Sequence, residues 1–294
     1  MTGIEWDTHC LALFKWLLLM QMEDLSMKSP KELSLERKLL ALLDPAAPSG
    51  IIASLLIEDE EVQMMQDYAN SVSIVRLGYN DHGPVHMRQV ARNAVLMMHL
   101  LRDAHVSTSL ERDKTGSFEE SLSAVILASF LHDLGMAVGR QDHEMFSATL
   151  AMPIITSILA KAYPHDANKR VVVRSLALEG IVGHMANRKI HSIEAGMILV
   201  ADGCDMEKGR ARIPMAMATE PRMGDIHKYS SNSIESVEIS AGQKRPILIT
   251  VEMSSDVGYF QIEEVLIPKI NSSPVKPYVE LVAGVVNQEK KHYL

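Results

Sequence analysis

The stretch Ser129-Phe-Leu-His-Asp-Leu-Gly-Met136 constrains this chain more than any other, because it sets a histidine and an aspartate side by side at the end of an otherwise apolar segment. Burying an imidazole or a carboxylate without a partner is strongly unfavourable, and a bound cation is one of the few things that satisfies both. His132 and Asp133 are therefore the first candidates for a metal centre and for catalysis.

The segment reads as a helix. Ser117-Phe-Glu-Glu120 is a capping box, Leu122, Val125, Ile126, Phe130 and Leu134 supply an apolar stripe, and Gly135 weakens the helix just past the pair. Upstream, Ser29-Pro-Lys-Glu32 is a second capping box with Pro30 at the first helical position, predicting a helix to about residue 43. Asp44-Pro-Ala-Ala-Pro-Ser-Gly50 should break it, and the acidic run 59–61 should open a further helical stretch to about residue 77. The apolar run 10–22 is short, contains Lys15 and follows Glu5 and Asp7, so it reads as a buried or interface helix rather than a membrane span.

Other candidate ligands flank the pair in sequence. In Gly78-Tyr-Asn-Asp-His-Gly-Pro-Val-His86, Pro84 suits an early helical position, which puts His86 in the first helical turn and His82 in the preceding turn. His86 is given a ligand role and His82 a capping or supporting one, with direct ligation by His82 left open. His143 stands at the entrance of an apolar helix that Pro153 should kink or interrupt, and His184 closes a helix beginning at Asp166. Ser192 caps a last core helix leading to Asp202. Any one of these histidines alone is more often a hydrogen-bonded core or surface residue. Together they fall near the starts or ends of five consecutive helical segments, so one bundle could gather them at one end of its core. Imidazole with carboxylate favours Mn, Fe, Zn, Co or Ni over Ca, and disfavours Mg.

Residues 203–233 look irregular and contain Arg210, Arg212, Arg222, His227 and Lys228. Beyond them the period changes: 236–240, 246–253 and 278–286 read as strands and 259–270 as a short helix. The expected fold is mainly α, an all-helical core with a small C-terminal α+β domain. Its divisions are a helical extension at 1–58, the metal-binding domain at 59–215, a linker or active-site loop at 216–233 and the α+β domain at 234–294. So few strands should pack on the helices or on another subunit, and a homodimer is expected. A net charge of -8 argues against an extended nucleic-acid surface, and two cysteines, Cys10 and Cys204, suggest neither a disulfide framework nor a thiolate zinc site, which fits a reducing cytoplasm.

The ordered set His86, His132-Asp133 and Asp202 resembles the metal-binding signature of the HD-domain metal-dependent phosphohydrolase superfamily. Asn80-Asp-His-Gly-Pro-Val-His86 and Leu131-His-Asp-Leu-Gly135 further resemble uncharacterised archaeal-type members, over about residues 79–214. The resemblance implies an HD-domain core in which His86, His132, Asp133 and Asp202 hold one divalent transition-metal ion, while Asp133 bridges to a second ion held by His143 and His184. A donor count also favours two ions, since those two histidines are surplus to one. The implied reaction is cleavage of a phosphate ester, of a nucleotide or another small phosphorylated metabolite, by metal-activated hydroxide. Arg140, Arg210 and Arg212 are candidates for gripping the phosphate, and His82 and His227 for supporting the site. Met136 stands where the cyclic-dinucleotide branch often carries lysine, which makes that substrate less favoured. Two other classes stay open: a di-iron oxygenase of related fold, and a non-catalytic nucleotide-binding sensor.

Overall fold

Local capping chemistry sets most of the helix starts. The computed structural model describes residues 28–210 and 226–294, with the side chains of 226–228 excepted. The run 10–22, Arg212, Arg222 and the side chains of His227 and Lys228 lie outside the described residues. In α1 (Pro30–Leu40) the Ser29 hydroxyl accepts from the Glu32 N–H while Glu32 accepts from the Ser29 N–H at 2.8 Å. α2 (Pro48–Glu58) begins inside the proline-rich stretch expected to be a break, because Pro48 occupies a helix start, where a missing N–H is tolerated. Asp59 caps α3 (Glu60–Ser71), which continues through a π-helical turn, Val72–Arg76.

α4 (Pro84–Asp103) carries His86 in its first turn, and a one-turn helix α5 (Ser109–Arg112), not foreseen from the sequence, has its own Thr108–Glu111 capping box. α6 (Phe118–Leu131) starts at the Ser117–Glu120 box. α7 (His143–Ala162), α8 (Ala167–Gly183) and α9 (Ile193–Cys204) follow, the last two capped by Asp166 and Ser192. α7 runs through Pro153 without interruption, so of the two expected effects, a kink or a break, the break does not occur. Thr149, Met152 and Pro153 are all exposed, so the Thr149 carbonyl that loses its N–H partner lies on the watered face.

Every residue of α6 from Glu120 onward is buried, which makes it the central helix, with α2, α4, α8 and α9 packed around it. Its apolar residues accordingly extend around the whole circumference rather than along one stripe.

Residues 203–233 are not irregular throughout, since α10 (Ile226–Asn232) lies among them. It leads into β1 (Ile234–Ala241) and β2 (Ile247–Met253). Next come α11 (Tyr259–Gln261), a π-helical turn Ile262–Leu266 and α12 (Ile267–Ser272), then β3 (Val279–Val285) and the short β4 (Lys291–His292). The sheet order is β1-β2-β3-β4, antiparallel except for the parallel pair β2–β3, where Val251 faces Ala283. A parallel pair needs a long crossover, and here that crossover lays α12 against α9. Strand β2 turns Ile247, Ile249, Val251 and Met253 inward, and sheet and helices share one apolar core. The protein is mainly α with a small α+β part at its C-terminal end.

A buried polar network holds the helices that position His132. Arg88, 1% exposed, donates to Glu36 (2.7 Å), Gln66 (2.8 Å) and Gln63 (2.7 Å), and Gln66 in turn donates to the Phe130 carbonyl at 2.8 Å, near the end of α6. Removing the guanidinium leaves the buried Glu36 carboxylate with Lys28 alone (2.9 Å) and the side-chain oxygens of Gln63 and Gln66 short of a donor. Arg88→Met should therefore destabilise the fold by about 3–5 kcal/mol, read as a lower urea midpoint; an unchanged midpoint would show that the network contributes nothing net.

Candidate metal centre

The ends of five helices deliver the candidate ligands. His132 is the C-cap of α6 and Asp133 (φ -105°, ψ 6°) has already left the helix. Gly135 is what lets α7 approach. A Cβ there would lie 2.0 Å from the His143 carbonyl oxygen and 2.6 Å from the Ser147 nitrogen, so only glycine allows the start of α7 to lie on the turn that holds Asp133. The Gly135 N–H then donates to Ser147 Oγ at 2.8 Å. Asp142, in the left-handed region at φ 52°, turns the chain immediately before His143. His184 is the C-cap of α8, Asp202 sits in the last turn of α9, and His86 in the first turn of α4.

Asp133 lies between two sets of imidazoles. Its Oδ2 is 3.3 Å from His86 Nε2 and 3.4 Å from His132 Nε2, and Asp202 Oδ1 is 3.3 Å from the same His86 nitrogen. Its Oδ1 is 3.2 Å from His143 Nε2 and 3.4 Å from His184 Nε2. Within each set the nitrogens are close: His86 Nε2 to His132 Nε2 is 3.2 Å, and His143 Nε2 to His184 Nε2 is 3.0 Å. All four histidines and Asp133 are buried, at 2% exposure or less.

The other ring nitrogens settle the tautomers. His132, His143 and His184 each place Nδ1 within 2.7–3.0 Å of the carbonyl three residues back, of Ser129, Arg140 and Ile181 respectively. His86 Nδ1 meets Asp205 Oδ2 at 2.6 Å. A carbonyl or carboxylate only accepts, so Nδ1 carries the proton and a neutral ring points its Nε2 lone pair inward. In neutral rings those lone pairs, 3.0–3.2 Å apart, cannot bond each other. Asp133 Oδ1 is likewise buried with no hydrogen-bond donor, although two imidazoles face it. A cation answers both problems, and the Nδ1 bonds are the supports that metal-ligating histidines normally have.

The cluster attracts positive charge by itself. Burial and Arg210 push the His86 pKa down, but the Asp133, Asp202 and Asp205 carboxylates outweigh them and raise it to about 10. Burial takes His132 the other way, down to about 3, despite its aspartate neighbours. Against the upward push of burial, the surrounding imidazoles hold Asp133 well below the usual carboxylate range. Potential ligand atoms of His86, His132 and Asp202 lie within 4.8 Å of one another, as do those of His132, Asp133 and His184. These buried His/Asp groups could hold a metal ion.

The six expected ligands are thus brought together, beside a cavity of about 700 Å³. His82 is not among them. Its Nδ1 lies 2.6 Å from the Asn80 carbonyl and its ring stands edge-on to His86, 5.8 Å between centroids. Arg140 lines the cavity; its guanidinium contacts the sulfurs of Met136 and Met185 at 3.9 Å, and among the described residues it has no carboxylate ion pair. Arg210 also lines the cavity but works mainly as a clamp, donating twice to the Asp81 carbonyl (2.9 and 2.7 Å) and once to that of Asp205 (2.7 Å). Two residues escaped the sequence reading. Asp205 orients His86, and its only sequence signal is its place one turn after Asp202. Lys269, from α12, contacts Asp202 and has no local signal at all.

A mainly helical protein with a buried His/Asp centre at the meeting point of helix ends is the class that fold and site define. The chain is 41% identical over 234 residues to the uncharacterised protein MJ1020 of Methanocaldococcus jannaschii, a match covering 80% of this chain and 88% of the relative. It belongs to the same family as that archaeal protein. No family model and no solved structure matches it.

Ligand binding to the folded state alone raises its stability, by about 2.7 kcal/mol at 100 times Kd. Mn²⁺ or Zn²⁺ should therefore raise the melting temperature of the metal-stripped wild type by several degrees, and Asp133→Ala should abolish most of that rise. An equal rise in both proteins would place the metal elsewhere.

Proposed function

We propose that the chain is a metal-dependent phosphohydrolase of the HD-domain type, acting on a nucleotide or another small phosphate ester. The observation that carries the reading is the Asp133 carboxylate, whose two oxygens face separate sets of imidazoles with their tautomers fixed. On this reading His86, His132, Asp133 and Asp202 hold one divalent ion, and His143 and His184 hold another that shares Asp133. Bound there, the ions would bring the pKa of water towards neutrality and offset charge building on phosphoryl oxygens.

The chain supplies binding and orientation. The Nδ1 bonds to Ser129, Arg140, Ile181 and Asp205 keep the imidazoles aimed inward. Arg140 presents a planar guanidinium to the cavity, a shape that grips two phosphate oxygens at once. Tyr79, also on the cavity wall, places its ring centroid 5.6 Å from that guanidinium. The cavity is of the size that takes a small metabolite. Arg210 ties Asp205 to the turn containing Asp81, and so steadies His86 from behind.

The same histidine-rich set also suits iron, so oxygen uptake is the control for oxygenase chemistry. A screen of phosphomonoesters, phosphodiesters and nucleoside triphosphates with Mn, Co, Ni, Zn and Fe(II) should find turnover that Asp133→Ala abolishes. In parallel, metal content should fall from about two ions per chain to about one in His143→Ala and in His184→Ala. Absence of hydrolysis with every metal, or oxygen uptake in its place, would contradict the phosphohydrolase reading; a wild type that never exceeds one ion would contradict the second site.

A further inference from the structure

The crossover between β2 and β3 delivers a cation into the metal centre. Lys269 on α12 donates from Nζ to Asp202 Oδ2 and, at 3.0 Å, to the His184 carbonyl. It thereby touches one residue from each of the two imidazole sets. Asp202 Oδ1 is left facing His86 Nε2 at 3.3 Å. The route of this side chain is built into α9. A Cβ on Gly203 would lie 3.1 Å from Lys269 Cδ and 3.2 Å from Leu266 Cδ1, so the glycine directly after Asp202 leaves the space through which the lysine stem passes.

The lysine is more than a support for Asp202. Its side chain is 12% exposed and lines the same cavity as Arg140 and Asp133. An ammonium has three N–H donors, and with Asp202 and His184 taking two, the third is left for the cavity. Charge points the same way. Lys269 offsets the carboxylate of Asp202, so the charge of cations held by the cluster is left for an incoming anion. Apart from Arg140 and the clamped Arg210, Lys269 is the cation on the cavity wall among the described residues.

We propose that Lys269 is a phosphate-binding residue contributed by the C-terminal α+β part, which therefore completes the active site. The inference rests on the phosphohydrolase reading, and inorganic phosphate is the probe that separates the two. Full-length protein loaded with Mn²⁺ is titrated with phosphate by calorimetry, and Mn content and melting temperature are measured on the same samples. Lys269→Met should weaken phosphate binding about tenfold or more, as expected for loss of a charged hydrogen bond, with Mn content unchanged. Lys269→Arg, which restores the cation, should recover most of the affinity. Unchanged affinity in Lys269→Met would overturn the inference and leave the phosphohydrolase reading in place. Loss of Mn together with phosphate binding would also overturn it, reducing the lysine to a prop for Asp202. A wild type that holds Mn but binds no phosphate would overturn both.

Discussion

Four buried imidazole nitrogens aim their lone pairs at the two oxygens of one carboxylate, and the rest of the structure serves that arrangement. With every ring neutral and each Nδ1 held by a carbonyl or by Asp205, no hydrogen bond can form among them; a bound cation, or in its place a proton on His86, is needed. Such a cluster opposes folding, because it buries polar atoms without partners. It persists because the apolar core around α6 over-determines the position of each helix end. The Arg88 network fixes the end of α6 from one side, and the close approach at Gly135 fixes the start of α7 from the other.

The C-terminal sheet takes part through topology. A parallel β2–β3 pair cannot be closed by a tight turn, so the chain must leave the sheet and return. That excursion packs α12 on α9 beside Asp202, and a strand-pairing requirement thus becomes the means by which a lysine reaches the cavity. Sheet and helices share one core, and Leu266 and Ile270, on either side of Lys269, belong to it.

Much of this was legible in the sequence wherever the physics is local. Capping boxes at Ser29 and Ser117 act over three residues, and both start helices where they should. The His132-Asp133 pair was conspicuous because two ionisable groups do not belong at the end of an apolar helix without compensation. The strand-like runs near 236–240, 246–253 and 278–286 stood out by period. What could not be read depends on three-dimensional neighbours. Pro153 is tolerated because its face of α7 is exposed, and α2 starts at a proline that looked like a breaker. Arg210 reads in sequence as a candidate phosphate grip, whereas its donors meet the carbonyls of Asp81 and Asp205. Lys269 lies 67 residues from its partner Asp202, beyond any local pattern. The carbonyls that lock three of the histidines are a subtler case: each is three residues back, a local regularity that an inspection of helix ends could have found.

On the proposed reading Asp133 stands between two bound ions. Crystals grown with Mn²⁺ and measured at wavelengths on either side of its absorption edge test it without reference to any substrate. Two anomalous peaks should flank the Asp133 carboxylate, roughly 3.5–4 Å apart, one beside His86, His132 and Asp202 and the other beside His143 and His184. A single peak, or peaks away from Asp133 under saturating metal, would contradict it.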